Sequence, residues 1–324
     1  MDRKKIILTY DYELFLGNDS GDLYNSLLEP TEKILNLLKQ HSSKALFFID
    51  TTFLMKIRAT ECFNVVKKQI QLMVEEGHDI GLHLHPHWKD AIVIDNCRWQ
   101  FNDFKHFRLH SFSDKEIMKI VEENYQLLLS IVHEVDSNYH IDTFRAGGWS
   151  LQPFNRLKEV FLKIGIKYDF SVLPEITDDD RPRHYYDYKN SPNKSVWKFG
   201  DDVLVEDKSG EFIEISNSVY DMNIIDLMKN RKLIKSYKIA GDGRGAGKQK
   251  SFFEQLKRVR WSVKQIVSSD AIDIEIFKKY SSKFKNEPIV YVAHPKLFSD
   301  NSFMVLKYIC QHFKSINYKE IKVK

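Results

Sequence analysis

The stretch Gly77-His78-Asp79-Ile80-Gly81-Leu82-His83-Leu84-His85-Pro86-His87 decides how this chain is read. Just before it, Cys62 to Glu76 carries apolar residues at helical spacing. Gly77 closes that helix, because glycine enters the left-handed conformation without steric cost. Asp79 to His83 then reads as a short strand that ends on a histidine. Helix, glycine stop, strand and functional side chain follow one another within about twenty-five residues, as they do where parallel strands are joined by helices.

Working outward, the same alternation recurs. Lys5 to Tyr10 reads as a first strand. Pro30 to Gln40 reads as a helix with Ile34, Leu35, Leu37 and Leu38 on one face, and Ala45 to Ile49 as a second strand. Beyond the histidines comes an aromatic, irregular stretch from Trp88 to Phe112. Ser113 with Glu116 forms a capping box that opens a helix ending around His133. Further strands are expected at Thr143 to Arg145, Tyr168 to Phe170, Phe212 to Ile215 and Ile289 to Val292, with an amphipathic basic helix around Phe252 to Val267, for about seven strands in all. Short apolar runs such as ALFFI and IVYVA suit a parallel sheet buried on both faces, and a barrel is its simplest closure. In such a barrel the chemistry stands at the C-terminal ends of the strands. Asp11, Asp50, His83, Arg145, Asp169 and His294 all fall at or just after an expected strand end. We read residues 1–324 as a single domain with excursions at about 88–112 and 177–210.

Composition narrows the function. The 49 basic and 45 acidic residues are mixed along the chain, which argues against a nucleic-acid partner. The 22 Phe and 15 Tyr are enough to fill a large core. The apolar run after the N-terminal lysines stops at Tyr10, short of a secretory signal, and nothing approaches the ~18 apolar residues of a transmembrane segment. The three cysteines, Cys62, Cys97 and Cys310, have no metal-type spacing, so reduced thiols and a cytoplasmic protein are expected.

His83 and His87 are four apart, so a helical turn after His83 would put both imidazoles on one face, near enough to share a metal ion; His85 would then point elsewhere. Pro86 is tolerated in a first helical turn. A catalytic metal with three protein ligands needs a carboxylate as well, and Thr9-Tyr10-Asp11-Tyr12-Glu13 supplies two candidates. Asp11 and Glu13 are two apart and project the same way from a strand, so one can bind metal while the other takes a proton. Taken separately, paired histidines also recur by chance in solvated loops, and an acidic pair also ends strands. The segment GDGRGAGKQ at 241–249 is not a nucleotide-binding P-loop: Asp242 stands where its first glycine belongs, and Gln249 replaces the Ser or Thr. Arg244 and Lys248 in it are candidates for contacting an anionic substrate group.

In chain order, TYDYE, GHDIGLHLHPH, FRAGGW, YDFS and VAHP resemble the five motifs of the polysaccharide deacetylase family, the NodB-homology or family-four carbohydrate esterases. The likeness runs from about Ile6 to His294 and is nearest to the WbmS-like branch, a cytoplasmic branch associated with surface-polysaccharide gene clusters. It implies an α/β fold, a distorted seven-stranded β/α barrel. It also implies an enzyme that uses a divalent metal ion to remove an N-acyl group from an amino sugar. By the resemblance, Asp11 is the catalytic base, His83 and His87 are metal ligands, Arg145 orients the base, and His294 is the general acid. Asp169 tethers His294 or Arg145. The usual second aspartate is replaced by Tyr12, which leaves Glu13 as the third ligand, with Asp11 itself as the alternative. Zinc is the expected metal, with iron, cobalt or nickel as alternatives. Trp88, Trp149 and Tyr12 are candidates for contacting the carbohydrate, whether an N-acylated sugar, a sugar nucleotide or a glycan. Rival readings are a hydrolase of a cyclic, non-sugar amide, a non-catalytic glycan-binding relative, and a mononuclear iron oxygenase with two histidines and a carboxylate.

Overall fold

Burial on both faces explains the strand framework. In the computed structural model, which describes residues 3–95, 97–245, 262–284 and 288–322, strand β1 (Lys5–Tyr12) is buried at every position after Lys5. The elements that follow are helix α1 (Glu29–Gln40), β2 (Leu46–Asp50), α2 (Thr51–Ile57), α3 (Glu61–Glu75) and β3 (Asp79–Leu84). Next come the hairpin β4 (Ile92–Asp95) and β5 (Arg98–Gln100), α4 (Asp114–His133), β6 (Thr143–Ala146), α5 (Asn155–Ile164) and β7 (Tyr168–Asp169). The hairpin β8 (Thr177–Asp180) and β9 (His184–Asp187) precedes β10 (Val196–Phe199), β11 (Phe212–Ile215) and β12 (Val219–Asn223). The chain then runs through α6 (Ile224–Ile234), β13 (Ser262–Ile266), α7 (Ile274–Ser281), β14 (Ile289–Ala293), α8 (Asp300–His312) and β15 (Lys314–Ser315). The capping box at Ser113 and Glu116 is formed as its spacing predicts.

The sheet is larger than the expected seven strands. It has nine, in the order β10-β11-β7-β6-β3-β2-β1-β14, with β15 pairing β1. It curls into a half-barrel. All pairings from β11 to β14 are parallel, and only β10 runs antiparallel, at the edge. The extra strands β10 and β15 are too short to carry a periodic signal of their own. Between the two edges, Ser218 donates its N–H to the Val290 carbonyl (3.2 Å) and accepts the Val290 N–H on its Oγ (2.9 Å). Ile7, Leu46, Phe48, Phe170, Ile213 and Val290 pack inside the curl, while the larger cluster, including Leu8, Tyr10, Phe47 and Leu82, lies between the sheet and the helices.

Two further expectations are corrected. Residues 252–261 of the expected basic helix lie outside the described residues, and Ser262–Ile266 is a strand, paired antiparallel with β12. Its side chains alternate across that ribbon, Val263 opposite Met222 and Ile266 opposite Val219. The cysteines are not all reduced: Cys62 on α3 and Cys97 in the β4–β5 turn form a disulfide with Cα atoms 6.2 Å apart, and Cys310 is free and buried. Thirty-five residues separate the pair in sequence, so nothing local in the spacing marks it. The support that reduced thiols lent to a cytoplasmic location is thereby removed. Among the described residues no helix is long and apolar enough to cross a membrane.

Candidate active site

Four parallel strands deliver the site from their C-terminal ends. Alternation along β1 turns Thr9 and Asp11 to the inside of the curl, and Glu13, just past the strand, continues the same face. Register then aligns the neighbours, with Asp50 beside His83 and His83 beside Arg145. His294 follows β14 directly. Gly147 allows the end of β6 to close on the end of β3, since a Cβ there would lie 2.2 Å from the Leu84 carbonyl oxygen and 2.8 Å from His85 Nδ1.

Asp11 is held from both sides. The fully buried Arg145 guanidinium donates to Asp11 Oδ1 at 2.5 Å, to Thr9 Oγ1 at 2.8 Å, to Asn217 Oδ1 at 3.1 Å and to the Phe170 carbonyl at 3.1 Å. His294 Nε2 lies 3.4 Å from the other oxygen, Asp11 Oδ2. Burial alone would raise the Asp11 carboxyl, but Arg145, then His294 and His83, outweigh it and hold the group well below the usual carboxylate range. His294 is in turn gripped by Asp270. Its Nδ1 is 2.7 Å from Asp270 Oδ2, and its backbone N–H donates to Oδ1 at 3.1 Å. Burial pulls the imidazole down, yet Asp270 and Asp11 together push it up to about 10, so it is protonated at neutral pH.

Beside this pair, Glu13, His83 and His85 converge. Glu13 Oε2 is 2.6 Å from His85 Nε2 and 3.3 Å from His83 Nε2, and the two Nε2 atoms are 3.0 Å apart. His83 Nδ1 donates to the Arg145 carbonyl at 2.7 Å, which leaves Nε2 as the nitrogen with a free lone pair. A tetrahedral divalent cation about 2.0–2.1 Å from such ligands spaces them roughly 3.3 Å apart. Two imidazole nitrogens and one carboxylate oxygen at these separations, all buried, therefore fit a metal ion with an open fourth position.

This trio differs from the expected one. β3 continues to Leu84, and His85 has φ −120° and ψ 80°, so the backbone is still extended where a helical turn was expected. Period two rather than period four then applies, and His85 shares the face of His83. The 3-10 turn begins only at Pro86 and carries His87 away. His87 is fully buried, with its ring stacked on Phe107 (centroids 4.5 Å apart) and close to Phe101 (4.6 Å). Neither of its nitrogens has a hydrogen-bond partner among the described residues. Burial, and then His85 beside it, hold its pKa well below the ordinary histidine range, so it stays neutral.

Three more expected site residues sit elsewhere. Asp169 contacts neither His294 nor Arg145 through a hydrogen bond; it accepts from the Ser171 N–H (2.8 Å) and hydroxyl (3.0 Å) and is paired with Glu214. Burial first, and Asp169 second, push the Glu214 carboxyl well up. Asp169 alternates with the inward Phe170 and so faces the opposite side of the sheet. Tyr12 alternates with Asp11 for the same reason, and its buried hydroxyl donates to Gln69 Oε1 at 2.8 Å. Trp88 is 1% exposed, packs on Phe53, Trp99 and Phe101, and donates its indole N–H to Asp50 Oδ2 at 2.6 Å. Both side chains are packed into the core. Trp149 is only half-buried and lies 5.4 Å from the Arg145 guanidinium. It is held there in the left-handed region, at φ 60°, after Gly148 at φ 58°. Such a conformation costs a bulky side chain roughly 1–3 kcal/mol, and strain of this kind collects at functional sites. Arg244 forms an isolated bridge with Asp19, and Lys248 lies outside the described residues.

The sequence reading missed Asp270, Asn217, Thr9 and Lys296, which touch the site residues from loops and from β1. Only Thr9 carried a usable signal, its even spacing from Asp11.

At the rim of the half-barrel, Glu13, His83 and His85 form a buried group that could hold a metal ion. The model of the polysaccharide deacetylase family matches residues 1–155, the part that contributes Asp11, Glu13, His83, His85 and Arg145. The match covers just under half of the chain, and enzymes of that family are metal-dependent amide hydrolases. No curated protein sequence matches the chain. Among solved structures, a Mycobacterium smegmatis protein assigned to the polysaccharide deacetylases is similar at 13% identity, covering 97% of this chain and 86% of its own, with a TM-score of 0.49. A family 4 carbohydrate esterase from Streptomyces lividans in complex with acetate is 11% identical over 96% of this chain and 88% of its own, with a TM-score of 0.43. The peptidoglycan deacetylase PdaC from Bacillus subtilis is 11% identical over 98% and 89%, at 0.41. Likeness at this level decides nothing about the chemistry.

Proposed function

We propose that this chain is a metal-dependent deacylase that removes the N-acyl group of an amino sugar. The observation that carries the reading is the placement of Asp11 between Arg145 and His294, immediately beside the Glu13-His83-His85 trio. A divalent cation held by that trio would polarise the amide carbonyl and lower the pKa of a bound water towards ~7. Asp11, kept ionised and oriented by Arg145, accepts the proton of the attacking water. His294, kept charged by Asp270, donates a proton to the departing amine. Thr9, Asn217 and the Phe170 carbonyl hold Arg145 still, so Asp11 needs no reorganisation when the charge shifts.

Two nitrogens and one carboxylate suit zinc, with iron, cobalt and nickel as competitors for the same donors. Trp149 is the aromatic surface we assign to the sugar, since it stands beside Arg145 and is partly open. The WbmS-like branch, and surface-polysaccharide biosynthesis as the setting, are proposed on the likeness of the five sequence motifs. The test is release of acetate or formate from N-acylated amino sugars, sugar nucleotides or glycan fragments by the metal-loaded protein. Ring opening of a cyclic ureide without acyl release would replace the sugar by a cyclic amide. Oxygen-dependent turnover would replace hydrolysis by oxidation.

A further inference from the structure

Lys296, two residues beyond His294, is a buried cation that none of the steps above employs. Its Nζ donates to Glu13 Oε1 at 2.7 Å and to the Leu14 carbonyl at 2.7 Å, and it lies over the Phe15 ring at 5.4 Å. Its backbone is pinned as well, the Lys296 carbonyl accepting the Gly241 N–H at 3.0 Å. The two oxygens of Glu13 are thereby divided: Oε1 meets Lys296 at 2.7 Å, with His294 Nε2 farther off at 3.5 Å, while Oε2 meets His83 and His85. A carboxylate can give a metal ion one oxygen or both, and the second oxygen would fill the position that water and substrate need. An ammonium is a compact point charge with three donors, well suited to occupying one carboxylate oxygen without reaching further.

We propose that Lys296 is a positioning residue that restricts Glu13 to ligation through Oε2 alone and so keeps the coordination shell open. This inference rests on the metal site proposed above.

The experiment uses the full chain loaded with cobalt(II), comparing the wild-type protein with Lys296→Met and Lys296→Arg, each checked for folding by circular dichroism. The readouts are the visible absorption spectrum and the cobalt dissociation constant from chelator competition. In Lys296→Met Glu13 Oε1 loses its hydrogen-bonded cation and keeps only the 3.5 Å contact to His294, so it can turn to the metal and the visible bands weaken as coordination number rises. Cobalt binds about tenfold tighter, although kcat falls about ten- to a hundredfold, the usual range for a residue that supports a ligand. Lys296→Arg, which keeps the charge, restores the wild-type spectrum. In a Glu13→Gln background Lys296→Met changes neither spectrum nor affinity further, because a glutamine has no second oxygen for Lys296 to withhold from the metal. An unchanged cobalt spectrum in Lys296→Met, or effects of the two substitutions that simply add, overturns the inference while leaving the metal site intact. A Lys296→Met protein that does not fold leaves the decision to Lys296→Arg, where a spectrum unlike the wild type overturns it. Wild-type protein that binds no cobalt overturns the metal site and this inference together.

Discussion

Arg145 on β6 donates to Asp11 on β1 across the inside of the curl, and both are buried. Removing Arg145 leaves the buried Asp11 charge with only the 3.4 Å contact to His294. Arg145→Met is therefore expected to destabilise the fold by about 3–5 kcal/mol, and Arg145→Met combined with Asp11→Asn to recover part of that loss. Denaturant unfolding of both variants measures it, and a double variant no more stable than the single one contradicts the pairing.

His85 and His87 make opposite predictions. His85→Gln is expected to lose the bound metal, measured as metal per chain by elemental analysis. His87→Phe is expected to keep it and to gain roughly 1–3 kcal/mol of stability, because a neutral imidazole with two unpartnered nitrogens is replaced by a ring that suits its aromatic surroundings. Loss of metal in His87→Phe would return the ligand role to His87.

Asp270 sets the acid. Asp270→Asn removes the charge that keeps His294 protonated, so the His294 pKa falls from about 10. A general acid works only while protonated, so the alkaline limb of the kcat/KM profile should move to lower pH, with about ten- to a hundredfold loss at pH 8–9. A profile whose alkaline limb stays in place would separate His294 from that limb.

Asp79 offers a test of stability away from the chemistry. Burial, with Lys319 opposing it, raises its carboxyl to about 6, above an unfolded value near 3.8. The folded state thus binds the proton more tightly, and stability falls as pH rises from about 4 to 6. The penalty, roughly 2–3 kcal/mol, is fully present above pH 6. Asp79→Asn, whose amide oxygen still accepts from Asn317, is expected to stabilise the protein at pH 7.5 and to change little at pH 4. Equal effects in urea unfolding at both pH values would contradict this.

The strand ends were legible because burial and period impose them. Short apolar runs marked β1, β2, β3, β6 and β14 to within two residues, and Asp11, Glu13, His83, Arg145 and His294 followed from their positions at or beyond those ends. The allocation inside HLHPH was not legible. Whether His83 pairs with His85 or His87 turns on where the extended backbone of β3 gives way to a helical turn, and Pro86 permits a turn without saying where it begins. The outward face of Asp169 was not legible because YDFS lies at a strand end yet alternates outward, nor was the burial of Trp88 and Tyr12, because an aromatic side chain reads the same in a core as in a cleft.

By itself the sequence determined the alternating parallel framework and the chemical types at its C-terminal rim, since both depend on residue pattern over short distances. Only the tertiary structure decided which of those residues meet. It paired Asp270 with His294, Lys296 with Glu13 and Cys62 with Cys97, and it turned His87 into an aromatic pocket. The physical reason is that such contacts form between side chains far apart in the chain or depend on one residue's φ and ψ, and neither distance nor torsion is encoded in local spacing.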